Sequence, residues 1–494
     1  MNCSNVKRTV SGQIHSTIGR FLVFVTLALT FAAADAAEPY RPKLTNDKAG
    51  NTHDFPLGVM SATGRLADGA SVIEIIDLAE DGAATEGGLQ AGDGIYGVGR
   101  KTFGPYSKNL DTGLLGPQAA LAAELDRGCA KDPPQIQLMV VRGDEKLKLD
   151  VPLPASPSFA RTFPERCEKT AAYRKGIEAW LVENQTPQGF WKGGLGGDDR
   201  DYSVPYCGLV LLAAGNPEYL PQIRKAVEFV RQGAISKIDL EDVKKGPKNW
   251  IAASVAILLA EYHLATGDTE VIPDLQKCCD LLAKRVSPTG TMGHHWEITY
   301  GGGGLTIINA HAHLAWSLAA HCGCKLDSGA WNRSLVEIGK SMTRDGAVGY
   351  SSRAVGDNDA PARTGGIATA LVISQQHPEL AQPMGRWLMA KNNRMRHAHA
   401  MTSVGLIFGT TGIKSTGGSR ALKTHLNNWL PYLELSRSAA GSAMYFPSKR
   451  NFGGDSYLGL QPIGNAIVGL MLASTEDNLF LFGGKKKTWL IEAE

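Results

Sequence analysis

From Thr170 onward apolar positions recur at three- and four-residue intervals, and two kinds of helical segment alternate. Tyr219–Gly233, Leu275–Val286, Trp331–Met342, Leu380–Ala390 and Leu422–Leu435 carry an apolar stripe opposite charged residues. In the first the stripe is Ile223, Ala226, Val227 and Val230, as in a helix that covers a core. Between them lie Val204–Ala214, Trp250–Leu264, Leu305–Ala320, Gly366–Ser374, Ala400–Phe408 and Ile463–Leu472. These are apolar on nearly every side and are predicted to be buried all round. With Ala171–Glu183 as a further outer helix, the segments make six outer/inner pairs, about fifty residues apart. A closed ring of helical hairpins buries such inner helices without leaving an edge, so the pattern predicts an (α/α)6 toroid over residues 170–494.

The front half has a different period. Ser71–Ile76 and Ile136–Val141 are strand-like, Lys146–Leu153 alternates apolar and polar, and Pro117–Leu125 is helical after Gly116. This predicts a small β-rich domain over 54–155, with linkers at 37–53 and 156–169. Leu57-Gly58-Val59-Met60 has a Φ-Gly-Φ pattern opening a strand, and Gly82-Ala83-Ala84 precedes Gly88-Leu89-Gln90-Ala91-Gly92-Asp93-Gly94-Ile95. Over about a hundred residues this order and these motifs resemble a PDZ domain. Gly94 and Gly99 depart from the usual pattern. The resemblance implies a groove in which a C-terminal or extended peptide adds a strand, its carboxylate held by Leu57, Gly58, Val59 and Met60.

In the helical half, Gln185-Thr186-Pro187-Gln188-Gly189-Phe190-Trp191 fits a QxxxGxW pattern. Weaker echoes stand at Ser287-Pro288-Thr289-Gly290 and Thr343-Arg344-Asp345-Gly346. The pattern resembles the terpenoid cyclase/prenyltransferase toroids and implies their fold. The DxDD acid motif of the cyclases is missing, which argues against isoprenoid chemistry. The arrangement as a whole resembles a group of exported bacterial PDZ-plus-toroid proteins.

Composition adds localisation and removes several classes of function. Lys7, Arg8 and Arg20 precede the apolar run Phe21–Phe31, which is too short to span a bilayer, and Ala34-Asp35-Ala36 supplies a cleavage site before Ala37. Residues 1–36 therefore read as a signal peptide, and the protein as periplasmic or extracellular. Without them 48 basic residues face 47 acidic ones, so neither nucleic acid nor a membrane surface is indicated as a partner. Seven cysteines remain (Cys129, Cys167, Cys207, Cys278, Cys279, Cys322 and Cys324), an odd number without zinc spacing, expected to be buried thiols with at most one bridge. No cofactor is indicated. GxSxG and HExxH are absent, which disfavours a protease.

Candidate chemistry gathers in the loops that lead into the inner helices, all expected at one rim of the ring. The first holds Asp198, Asp199 and Tyr202, and the third His294, His295, Trp296, Glu297 and Tyr300 before Gly301–Gly304. The fourth holds Asp359 and Arg363, the fifth His397 and His399, and the sixth Asp455 and Tyr457. Glycines let a backbone approach a ligand, and helix N-termini favour anionic groups. The expected site is a polar cup over an apolar barrel, with His295, Tyr300, Arg363, Asp199 and Asp455 in catalytic roles. Asp198, Trp296, Glu297, Asp359 and His397 are expected to bind ligand. A lyase would use Arg363 against a uronate carboxylate, with His295 or Tyr300 as base. A hydrolase would draw two carboxylates from Asp199, Glu297, Asp359 and Asp455. The sequence thus predicts a toroid that binds and cleaves an extracytoplasmic polysaccharide; a non-catalytic envelope scaffold remains the alternative. His311 and His313, two apart on an inner helix, project about 200° apart and cannot share a metal.

Overall fold

The computed structural model describes residues 40–484 except 46, 48, 50, 194–199, 299–302, 353–359 and 450–452. The signal-like segment and the site candidates Asp198, Asp199, Tyr300 and Asp359 lie outside the described residues.

Seven strands form one antiparallel sheet: β1 (Thr52–Pro56), β2 (Ala62–Ala67), β3 (Ile73–Leu78), β4 (Gly94–Val98), β5 (Lys101–Thr102), β6 (Gln135–Arg142) and β7 (Glu145–Pro152). Their order is β1-β2-β3-β4-β6-β7, with β5 paired to β4. Along β6 the alternate residues Ile136, Leu138 and Val140 are buried, as a strand with one wet face requires. A short helix, α1 (Ala83–Glu86), and a longer one, α2 (Pro117–Cys129), complete this part. The Gly92-Asp93 turn is anchored chemically: the Asp93 carboxylate receives Arg142 through two 2.7 Å bonds and the Gln90 amide at 2.9 Å.

The helical part begins with α3 (Glu168–Glu183). Inner helices α4 (Arg200–Ala213), α6 (Asn249–Thr266), α8 (Thr306–His321), α10 (Pro361–Ser374), α12 (Thr402–Asn428) and α15 (Leu460–Ala473) each pack on the next, and α15 packs back on α4. That contact closes the ring. Outside it stand α3, α5 (Leu220–Gln232), α7 (Ile272–Lys284), α9 (Ser328–Ser341) and α11 (Pro378–Ala390). The sixth outer position is filled by the second limb of α12, which turns at Gly418 (φ 65°, ψ −163°), together with α13 (Leu430–Ser436). A short α14 (Gly453–Leu458) leads into α15. No helix among the described residues is long and apolar enough to cross a membrane.

One turn recurs after outer helices. The amides of Thr186, Ser287, Thr343 and Ser438 donate to the carbonyls of Phe190, Thr291, Ala347 and Ser442, four residues on, at 2.8–3.0 Å. Gly189 and Gly290 adopt φ of +96° and +93°, and a Cβ at either would collide with a carbonyl of the next outer helix, Lys225 or Arg333. Only glycine fits that approach. In the first copy Gln185 donates to the carbonyl of Gln222 at 2.9 Å, and the Trp191 indole to that of Leu181 at 2.7 Å. The fourth copy, at Ser438–Gly441, goes beyond the echoes read from sequence.

The seven cysteines from Cys129 on are free thiols, five of them buried, within the expectation of at most one bridge. Two expectations change. The linkers are packed: β1 begins at Thr52, Tyr40 donates to Asp77 at 2.8 Å, and Phe163 and Lys169 are buried. Most consequential, the peptide groove expected at Leu57, Gly58, Val59 and Met60 is not open. These residues form a fully buried 3-10 turn rather than the start of a strand. The strand that follows, β2, is paired on both sides, with β1 (Pro56↔Thr63 to Thr52↔Ala67) and with β3. The chain's own β1 thus takes the antiparallel place a peptide would need and runs straight into the loop. The toroid covers the far side: a Cβ on Gly58 would lie 2.9 Å from the Glu434 carbonyl of α13.

Candidate functional site: an aromatic cup at the mouth of the ring

The starts of α4 and α6 and the segments leading into α8, α12 and α15 converge on a cavity of about 500 Å³. Its walls include Tyr202, Lys248, Trp250, His294, Met401 and Tyr457. Trp250 begins the all-apolar helix α6, so its backbone is fixed by a buried helix while its indole meets the mouth. Its N–H donates to Nδ1 of His294 at 2.7 Å, and its ring stands edge-on to Tyr202 and to His311, with centroids 5.9 Å and 4.9 Å away.

Beneath the wall is a buried polar network. His311 Nδ1 lies 2.9 Å from the Ile307 carbonyl and must carry the proton there, which leaves Nε2 as an acceptor. Nε2 faces the hydroxyls of Tyr206 at 3.3 Å and Tyr202 at 3.4 Å, and Ser254 donates to Tyr206 at 3.3 Å. Burial pulls His311 down to about 4, opposed by the Ile307 hydrogen bond, so it is neutral at pH 7. Burial likewise pushes Tyr202 well above the usual phenol range. These groups orient hydroxyls and accept hydrogen bonds; they are too weak to carry acid–base chemistry unaided. His313 turns the other way, to Ser334 of α9 at 3.0 Å.

The described site candidates are placed elsewhere, each by a different local need. His295 Nε2 lies 3.1 Å from the Gly246 carbonyl and 3.3 Å from Arg285, whose guanidinium ties down residues 243–249. Trp296 is 38% exposed under the Lys244 ammonium, and Glu297 is exposed. Arg363 is fully buried, donating to the Val348 carbonyl at 3.0 Å with its guanidinium 5.5 Å from the Tyr350 ring. His397 is buried, accepting from the Lys449 amide at 3.4 Å. Asp455 is fully buried and accepts from the amides of Thr402 and Ser403, the Ser403 hydroxyl and the Tyr445 hydroxyl. It caps α12 from a distance, and burial raises its pKa against the pull of those donors. None of these six is among the described residues that line this cavity. The polar groups of His295, Arg363, His397 and Asp455 bond backbone carbonyls or amides at the loop ends instead.

The wall residues carry a fainter sequence signal. The second lead-in loop has no Gly-rich polar run, and nothing in its composition marks Trp250. Among the described residues no group of three or more His, Cys, Asp or Glu is arranged to hold a metal ion.

The fold and the cup define a six-hairpin helical toroid with an aromatic mouth, joined to a small antiparallel sheet. Residues 185–483 match the family described as a domain of unknown function, DUF6288, and the chain belongs to that family. No curated protein matches it. Among solved structures it is similar to an inactive variant of the alpha-1,6-mannanase GH76A of Salegentibacter sp. HEL1_6 in complex with alpha-1,6-mannotetrose. That match has 9% identity, covers 62% of this chain and 99% of the other, and has a TM-score of 0.47. The cellobiose 2-epimerase from Bacillus thermoamylovorans B4167 gives 12%, 62%, 99% and 0.45. A type II terpene cyclase from Scytonema in complex with geranylgeranyl dihydroxybenzoate gives 13%, 62%, 97% and 0.43.

Proposed function

We propose that the mouth of the ring is a saccharide-binding cup through which an exported protein acts on an extracytoplasmic polysaccharide. The observation that carries this reading is the wall itself. Trp250, Tyr202 and Tyr457 border one cavity of about 500 Å³, beside an imidazole and a network of hydroxyls. A pyranose ring offers apolar C–H faces and a rim of hydroxyls, which suits amphipathic aromatic groups with polar tips. The signal-like residues 1–36 supply the export.

For the reaction we favour hydrolysis over elimination. Of the lyase candidates Arg363, His295 and Tyr300, the two among the described residues, Arg363 and His295, are engaged with Val348 and with Gly246 and Arg285. Hydrolysis needs two carboxylates, one protonating the leaving oxygen and one activating water or attacking carbon. Asp198 and Asp199 stand four and three residues ahead of Tyr202 in the sequence, and we assign the pair to Asp199 and a partner carboxylate. A second reading, binding without turnover, is favoured by the absence of Asp or Glu among the described residues lining the cavity.

Incubation with uronate-rich and neutral polysaccharides, followed by assay of new reducing ends, separates these readings. Release by the wild type, lost in Asp199→Asn with binding retained, supports the hydrolase. Binding without release supports the scaffold, and neither binding nor release overturns both.

A further inference from the structure

Arg396, in the 3-10 turn Asn392–Ala400 that leads into α12, is wholly buried. Among the described residues none accepts a hydrogen bond from any of its three guanidinium nitrogens. Its guanidinium lies 5.1 Å over the ring of Phe446. That ring stacks on Tyr432 at 5.1 Å, Phe55 at 5.7 Å and His53 at 5.8 Å, and His53 stacks in turn on Tyr106 at 5.9 Å. Arg396 is therefore enclosed by side chains of both the sheet part and the ring. Tyr106 contributes a second buried donor without a partner, its hydroxyl.

The surrounding charge does not balance Arg396. Lys449, 5.4 Å from the Tyr106 ring centroid, adds a second basic group, whose three hydrogen bonds go to Ser107, Asn109 and Thr112; burial, helped by Arg396, pulls it down to about 7, so it carries part of a further positive charge at neutral pH. Of the carboxylates whose charge reaches this group, Asp68 is exposed and Asp455 already holds four donors. Burial pulls Arg396 down to about 10, which still leaves it charged at neutral pH. The Phe446 face compensates part of the lost hydration, but a ring accepts no hydrogen bond along the guanidinium plane. Water would satisfy the donors and leave the charge; an anion does both.

We propose that a chloride-sized inorganic anion binds between the sheet and the ring, accepting hydrogen bonds from Arg396 and the Tyr106 hydroxyl and fastening the two parts together. A ligand held only by the folded state raises the unfolding midpoint with its concentration.

The test follows thermal unfolding of the full chain against chloride at constant ionic strength, made up with gluconate, which is too large for an enclosed site. The midpoint should rise and then saturate. Arg396→Met should abolish the dependence, and Tyr106→Phe should need about tenfold more chloride for half the shift. Crystals soaked in bromide should show an anomalous peak within hydrogen-bonding distance of Arg396, and this decides the matter if Arg396→Met does not fold. A chloride response equal in wild type and Arg396→Met, or a bromide map with no peak beside Arg396, overturns the proposal.

Discussion

Trp250 donates its indole hydrogen to Nδ1 of His294 over 2.7 Å, and the two rings stack with centroids 6.1 Å apart. The bond needs an unprotonated Nδ1. Burial lowers the His294 pKa and the Lys248 charge lowers it further. The pair's contribution is then complete above the ordinary imidazole value of about 6.5 and is lost as pH falls through the lower folded value. Fluorescence of Trp250, taken as the difference between wild type and Trp250→Phe, should hold steady from about pH 8 to 6.5 and change on further acidification. In His294→Ala that acid transition should vanish.

The deeper histidines give stability the same sign. Burial sets His311 at about 4 and His313 and His425 at about 3, so the unfolded chain takes up protons that the fold does not. They contribute on the order of 3–5 kcal/mol each, present above about pH 6.5 and lost as pH falls through those values. Glu261, raised to about 7 by burial against its bonds to the Leu481 and Phe480 amides, works oppositely, its share declining as pH rises from about 4.5 to 7. Three groups outweigh one. Urea midpoints should climb from pH 4 to pH 6.5, and His313→Phe should flatten the climb.

Asp455 separates a structural from a catalytic reading. Its carboxylate holds the start of α12 through Thr402 and Ser403, with Tyr445 at 2.6 Å. Asp455→Ala should lower stability by about 2–4 kcal/mol, read by chemical denaturation. The folded fraction should keep its affinity for polysaccharide, which a catalytic or binding role would not allow.

The covered loop at Gly58 makes a separate prediction. With φ at +62° and the Glu434 carbonyl 2.9 Å from a would-be Cβ, Gly58→Ala should cost about 1–3 kcal/mol. Arrays of C-terminal peptides should show no binding to the full chain, because β1 is already paired to β2. A peptide bound at that edge with β1 still in place would contradict the register.

Much of the architecture was legible because burial writes itself as period. Helix α6 has almost no polar face, and β6 alternates cleanly. The recurring turn was legible in three copies, Thr186-Pro187-Gln188-Gly189, Ser287-Pro288-Thr289-Gly290 and Thr343-Arg344-Asp345-Gly346, and the structure adds Ser438-Ala439-Ala440-Gly441, which shares their hydroxyl residue three before a glycine. Only the first copy has the glutamine and tryptophan that make it conspicuous, and the fourth has in addition no proline or polar residue between its serine and glycine. The site was harder to read because loop ends need polar partners whether or not a ligand exists. Arg363, His295 and Asp455 spend their chemistry on carbonyls and amides, and they look catalytic in sequence for that reason. Trp250 looks like core in sequence, since only the closure of the ring brings the start of α6 beside Tyr457.

The most direct test of the saccharide cup is affinity electrophoresis of the full chain in native gels cast with uronate-rich or neutral polysaccharides. The account predicts that at least one polysaccharide retards the wild type, and that Trp250→Ala, with an unchanged far-ultraviolet spectrum, migrates as in a plain gel. Equal retardation of the two proteins, or free migration of the wild type in every gel, would contradict it.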